Sequence, residues 1–289
     1  MKNISDISLG DIFDVLPEIH SLHAPTTKAY ELLEKLSQSI FMNSDFKSAE
    51  ARECSAGGFG KIVFPYTKMG AVNSVDIFSS INELIIFAFY WVNRNRYSKV
   101  VDIGANLGLH TILMSRLGWN VRAFEPDPVH LELLKRNVTL NLLQSVDIVD
   151  AAVSDKSGTL DFVRVLGNTT SSHLAGSKEA PYGTLERIPV SVVDIKSIVP
   201  GIDFMKIDAE GHERTIIEAI SVNEFDHMDI MLEVGTKKNA DGIFNYLSKN
   251  GVNAFAQKIG WQIVRSCSDM PTSYKEGSLF ISKKDSMPW

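Results

Sequence analysis

From Lys99 onward, short apolar runs alternate with longer helical ones, and this regularity restricts the chain to few folds. Val100 to Ile103 reads as a strand, Leu109 to Leu117 as a helix closed by Gly118, and Val121 to Phe124 as a second strand. Asp127-Pro128 is an N-cap followed by proline at the first helical position, which opens a helix running to about Leu142. Val146 to Val153 is a third strand, Phe204 to Ile207 a fourth and Ile230 to Val234 a fifth, with helices at Glu213–Ile220 and Gly242–Lys249. Val252–Gln257 and Ser278–Ser282 complete the set, while Thr159–Val165 and Ile188–Val193 form an inserted hairpin-like pair around a polar loop, Gly167 to Gly183. Such alternation predicts a doubly wound, mostly parallel α/β sheet with helices on both faces. Right-handed crossovers then bring the ligand loops to the carboxyl ends of the strands.

Residues 1–75 lie outside this pattern and read as an N-terminal appendage to a domain over 76–289. Ala29, Leu32, Leu33, Leu36 and Ile40 recur at helical spacing behind Thr26-Thr27, and Gly57 to Gly60 turns into a short strand at Lys61–Phe64. Ser80-Ile81-Asn82-Glu83 has the capping-box pattern ahead of Leu84 to Val92, which is apolar nearly all round. That run is about half the ~20 residues needed to span a bilayer, so a core helix is expected and no membrane partner. The first residues carry no apolar run behind Lys2, and the chain has two cysteines, Cys54 and Cys267, so no leader and a cytoplasmic location are expected. A net charge of −6, with basic residues only in short pairs, argues against a nucleic-acid partner.

The segment Asp102-Ile103-Gly104-Ala105-Asn106-Leu107-Gly108 sits where the first strand turns into the first helix. Glycines there let the backbone turn sharply toward a ligand, and the helix start behind them offers free amides. The spacing is not the G-x-G-x-x-G of nicotinamide dehydrogenases. Glu125 ends the second strand, 21 positions after Gly104, where a carboxylate can accept both hydroxyls of a ribose. Loop and acid together, in strand–helix–strand order, point to an adenosine-containing cofactor.

Val100-Val101-Asp102-Ile103-Gly104-Ala105-Asn106-Leu107-Gly108-Leu109-His110-Thr111 resembles the first motif of class I methyltransferases, with Asn106 replacing the usual middle glycine. That replacement, Ala123-Phe124-Glu125-Pro126-Asp127-Pro128, the signature-like run from Phe204 to Glu213 and the serine-rich loop Asn168 to Leu174 are similar to the FkbM family. The resemblance spans roughly residues 80–235. It implies a seven-stranded Rossmann-like sheet and methyl transfer from S-adenosylmethionine, commonly to a hydroxyl of a saccharide or secondary metabolite. In its terms Asp102, Gly104, Asn106 and Gly108 line the methionine end and Glu125 the ribose. Asp127 either touches the adenine side or only caps its helix, and Ala151-Ala152 flank the adenine or only pack the strand.

A hydroxyl is a poor nucleophile near neutral pH, so a base is sought where the fourth strand ends. Asp208, Glu210 and His212 cluster there and are the catalytic candidates, against the plainer reading that the acids cap the next helix. Glu233 ends the fifth strand as a metal ligand or acceptor contact, against the favoured plainer reading of a solvated acid. His110 reads as a surface histidine, and Glu83 as capping-box acid. His20 and His23 lack a third ligand, so no metal site is assigned, and a divalent ion such as magnesium has no supporting spacing. The loop around Ser171, Ser172 and His173 suits a lid. The acceptor is expected to be a small hydroxylated molecule. N-methylation of another acceptor and a non-catalytic cofactor-binding module stand as alternatives. The appendage is expected to cover the acceptor pocket or to form a subunit contact in a homo-oligomer.

Overall fold

A computed structural model describes residues 7–47, 52–70, 72–177 and 183–289. The appendage begins with α1 (Leu9–Val15), whose start is a capping box: Asp11 N donates to Ser8 Oγ (3.3 Å) and Ser8 N to Asp11 Oδ2 (2.9 Å). α2 (Lys28–Asn43) follows, capped by Thr27 Oγ1, which accepts from Tyr30 N at 3.1 Å. It buries Tyr30, Ser37 and Ile40, whereas Leu32, expected on the buried face, is 67% exposed. β1 (Glu53–Ser55) and β2 (Lys61–Val63) pair antiparallel around the Gly57–Phe59 turn. These elements do not form a separate body. Phe13 meets Phe59 and Phe87 at ring centroids of 5.5 and 6.4 Å, so the appendage shares one hydrophobic cluster with α3 (Ile81–Val92).

The α/β part runs β3 (Lys99–Ile103), α4 (Leu109–Arg116), β4 (Asn120–Phe124), α5 (Pro128–Leu140) and β5 (Val146–Val149). β6 (Ala152–Ser154), β7 (Gly158–Leu166), β8 (His173–Leu174) and β9 (Thr184–Asp194) come next, then β10 (Phe204–Ile207), α6 (Glu213–Ala219) and β11 (Asp229–Glu233). α7 (Lys237–Lys249), β12 (Asn253–Ala256), β13 (Gln262–Ile263) and β14 (Ser278–Ser282) complete it. Among the described residues the large sheet has eight strands in the order β13-β12-β14-β11-β10-β3-β4-β5. β5, β4, β3, β10 and β11 run parallel; β14 is antiparallel to both its neighbours, which leaves β12 parallel to the rest. The eighth strand, beyond the seven expected, is the two-residue edge strand β13.

The expected third strand also divides. The chain turns where Ala151 N donates to Val149 O (3.0 Å), and β6 leaves the large sheet to pair with β9. β6, β9, β7 and β8 make a second sheet of four strands, the expected hairpin-like pair at its centre. β3 and β10 are buried on both faces, as central parallel strands must be. α3 and α4 cover one face of the large sheet and α6 and α7 the other.

Candidate active site

The loop after β3 owes its shape to left-handed backbone. Gly104 has φ +74°, and a Cβ there would lie 1.9 Å from the Asp208 carbonyl oxygen, so β3 and β10 can approach only through a glycine. Asn106 takes φ +52°, a conformation asparagine tolerates better than most residues, which is how it can stand where the motif has glycine. Gly108, φ +87°, forms the N-cap of α4. Asn106 N donates to Glu125 Oε2 (2.7 Å) and Asp127 N to Glu125 Oε1 (2.8 Å). Asn106 Oδ1 is buried with no hydrogen-bond partner. Asp102 is fully buried below the loop, accepts from Thr111 Oγ1 (2.6 Å) and lies 3.6 Å from Lys206 Nζ. It supports the loop rather than lining the cavity.

That cavity is bounded by Gly104, Asn106, Glu125, Asp208 and Glu210, and walled by Ala151, Ala152, Phe162 and Leu174. Its make-up fits an adenosine cofactor. The walls are apolar around a flat base, Glu125 has lone pairs beyond the two its amides use, and Asn106 Oδ1 waits unpartnered. Burial lifts the Glu125 carboxyl to about 8, although both amides pull toward the ionised form. Asp127 is spent elsewhere. Its Oδ1 caps α5 through Val129 N (2.9 Å) and its Oδ2 accepts from Arg164 Nε (2.8 Å), so the cap reading holds and the adenine contact does not. The serine-rich loop lines the cavity and pairs with β7 through the short strand β8, with Ser172 and His173 buried and Thr169 Oγ1 2.9 Å from His130 Nε2. The part of this loop at 178–182 lies outside the described residues.

Asp208 stands at the junction of three spaces: the cofactor cavity, a large open cleft beyond it, and a smaller cavity under α3. Its Oδ2 is 3.6 Å from Lys206 Nζ. Glu210, φ +49°, borders the cofactor cavity and the cleft. Neither acid caps α6. Glu213 does the holding instead, its Oε1 accepting from Ala209 N (3.1 Å) and Gly211 N (2.8 Å), with Asn239 Nδ2 2.9 Å from its Oε2. His212 lies between two hydroxyls, Nε2 2.8 Å from Ser154 Oγ and Nδ1 3.1 Å from Ser177 Oγ, and burial lowers its pKa. It ties the loop after β8 to β6 through these two contacts.

Two expectations change outright. His110 is buried, not superficial: its Nδ1 is 3.0 Å from Tyr90 Oη and its Nε2 3.1 Å from Glu83 Oε2. Ser80 makes no side-chain cap, so the capping box there does not form and Glu83 faces the smaller cavity. Sequence reasoning passed over Lys206, Glu213 and Tyr274. Lys206, a lone cation in an apolar strand, was the available signal. His20 and His23 do not build a metal site: His20 Nδ1 lies 2.9 Å from Pro17 O, and Trp261 Nε1 donates to His23 Nδ1 (3.0 Å), whose imidazole burial pushes down to about 3. Among the described residues no three His, Cys, Asp or Glu side chains are grouped to hold a metal ion, and no helix is long and apolar enough to cross a membrane. The appendage reaches the site through Thr169 N, which donates to Met69 O (3.3 Å), and through Val72 on the cleft wall.

The methyltransferase FkbM domain matches residues 102–253, just over half of the chain. The methyltransferase sdnD of Sordaria araneosa is 27% identical over 154 residues, 42% of this chain and 60% of that protein, so the chain spans about 60% of that curated relative's length. Solved structures resemble it only distantly. A precorrin-6y C5,15-methyltransferase from Geobacter metallireducens GS-15 is 17% identical, with a TM-score of 0.36 over 66% of this chain and 86% of that one. The N-terminal domain of human METTL16 in complex with SAH is 16% identical, with a TM-score of 0.38 over 90% of this chain and 85% of that one.

Proposed function

Because the chain belongs to the FkbM methyltransferase family, we propose that it transfers a methyl group from S-adenosylmethionine to a hydroxyl of a small molecule, such as a saccharide or secondary metabolite. The observation that carries this reading is the position of Asp208, which borders the cofactor cavity and the open cleft at once. The cofactor supplies an activated methyl group. The protein's own task is to align the acceptor, exclude water and take up a proton. Glu125 receives the ribose, Asn106 Oδ1 a polar group of the methionine end, and Ala151, Ala152, Phe162 and Leu174 the base. Asp208 accepts the proton of the attacking hydroxyl, with Lys206 Nζ 3.6 Å from its Oδ2. Glu210 lines the acceptor side, and His212 positions the lid.

The test is methyl transfer from S-adenosylmethionine tritiated at its methyl group to a panel of hydroxylated small molecules. The Asp208→Asn variant should lose about 10²–10⁴ in rate while binding the cofactor within a few fold of the parent. Unchanged rates in Asp208→Asn would place the base elsewhere.

A further inference from the structure

Asp208 and Glu233 stand side by side at the carboxyl edge of the large sheet, each following a residue of the register pair Ile207–Leu232. Adjacent strands lie about 4.8 Å apart, so the two carboxyl groups are neighbours. Both line the smaller cavity under α3 and the open cleft. The charged groups lining these spaces with them include Glu83 from α3, His110 from α4, Lys206 from β10, Glu210 from the loop after it, and Arg214 and Lys238 along the cleft. Tyr274, 62% exposed, borders both spaces.

Two adjacent carboxyls in a confined site do not both ionise cheaply. Lys206 Nζ lies 3.6 Å from a carboxyl oxygen of Asp208 and 3.6 Å from one of Asp102, and among the described residues it makes no such pair with Glu233. Burial first, then the charges of Asp208, Glu83 and Glu210, keep the Glu233 proton on well above the usual carboxyl range, against the opposing pull of Lys206. Glu233 therefore faces the cleft as a hydrogen-bond donor, with Asp208 beside it.

We propose that Asp208 and Glu233 form a matched acceptor–donor pair selecting a substrate with oxygens on two adjacent carbons, a vicinal diol, with Glu233 as the specificity-determining residue. This rests on the hydroxyl-transfer reading above. Asp208 takes the proton of the hydroxyl that is methylated, and Glu233 donates its O–H to the neighbouring oxygen and keeps its proton throughout. In the step the acceptor O–H bond breaks as the O–CH₃ bond forms. The methyl–sulfur electron pair stays on sulfur, and the sulfonium and carboxylate charges vanish together. The exposed ring of Tyr274 offers a flat surface to the C–H face of a polyol.

The first test needs no acceptor. Infrared difference spectra of the full-length, glutamate-labelled protein near neutral pH, parent minus Glu233→Gln, should contain the band of a protonated buried carboxyl, and its absence would overturn the assignment. The second compares tritium transfer to cis-cyclohexanediol, with adjacent hydroxyls, and to cyclohexanol. The diol should be preferred about tenfold in kcat/KM, the value of one hydrogen bond. Glu233→Gln, still a donor, should keep that preference and Glu233→Leu lose it. A Gln variant as indifferent as Leu, or a parent indifferent to the second hydroxyl, removes this inference alone. No transfer to any hydroxylated acceptor fails the underlying reading and the selection rule together, with the infrared band left to report the protonation state.

Discussion

Cofactor affinity should rise with pH, because Glu125 must give up a proton before its carboxylate can accept both ribose hydroxyls. Burial lifts its carboxyl to about 8 in the ligand-free protein. Such a group is about 1% ionised at pH ~6 and about half ionised at pH ~8. The apparent Kd is the intrinsic one divided by the competent fraction, so it should fall roughly 50-fold across that interval. Calorimetric titration with S-adenosylmethionine, repeated in buffers of different ionisation enthalpy, reads the affinity and the released proton together. Glu125→Gln should flatten the slope and, at the alkaline end, bind about 1.5–3 kcal/mol more weakly. A parent whose Kd does not move with pH, or a Gln variant that keeps the full slope, would refute the reasoning. Folding responds in the opposite sense. The folded-state value lies above the ordinary 4.5, so the stability this group contributes is full below that pH and is lost as pH rises through about 8. The ligand-free protein should lose up to ~1.4 kcal/mol per pH unit over that window while its affinity for the cofactor climbs.

Gly104→Ala should cost more than about 3 kcal/mol, because its Cβ would strike the Asp208 carbonyl, whereas Gly118→Ala, φ +86° with open space around it, should cost only the ~1–2 kcal/mol of its backbone; equal shifts in melting temperature would discount the close approach. His212→Ala should slow methyl transfer less than Asp208→Asn does and weaken cofactor retention by loosening the lid, read by single-turnover rates and cofactor dissociation; the reverse order would restore His212 as base. Lys206→Met should destabilise by about 3–5 kcal/mol, because it leaves Asp102 and Asp208 uncompensated; a melt within about 1 kcal/mol of the parent would show the charge cluster to be better hydrated than its burial implies. Deleting residues 1–75 should abolish the cooperative melt, since Phe87 would lose Phe13 from the shared core; a folded truncation would mark the appendage as separable.

Most strands were legible along the chain because each follows from local periodicity. Val100 to Ile103, Val121 to Phe124 and Phe204 to Ile207 are apolar runs of strand length bounded by turn residues, and each forms its strand. Where the reading erred, tertiary pairing overrode pattern. Val146 to Val153 is one continuous run by composition, yet β9 offers a second sheet to its latter half, and a strand that changes partners leaves no mark in its own sequence. Leu32 likewise matches the helical stripe of α2, but helix position alone does not say how wide the covered face is.

The site divides along the same line. Gly104, Asn106 and Gly108 were legible because left-handed positions favour few residue types, and Glu125 because it follows the end of β4 at Phe124. The pairing of Lys206 with Asp102 was not, for it depends on the register that sets residues 206 and 102 opposite each other across β10 and β3. Yet the strand Phe204-Met205-Lys206-Ile207 contained the clue. A lysine in a strand buried on both faces cannot remain charged without acids close by. Charge on Lys206 therefore requires carboxylates at the carboxyl edge of the sheet, and Asp102 and Asp208 supply them at 3.6 Å each. Once that cation is committed to those two, the next acid along the edge, Glu233, has burial and three negative neighbours set against a single shared cation, and it holds its proton. The raised Glu233 carboxyl thus follows from its burial and from the strand order that sets Asp208 beside it, against the pull of the one lysine in an apolar strand.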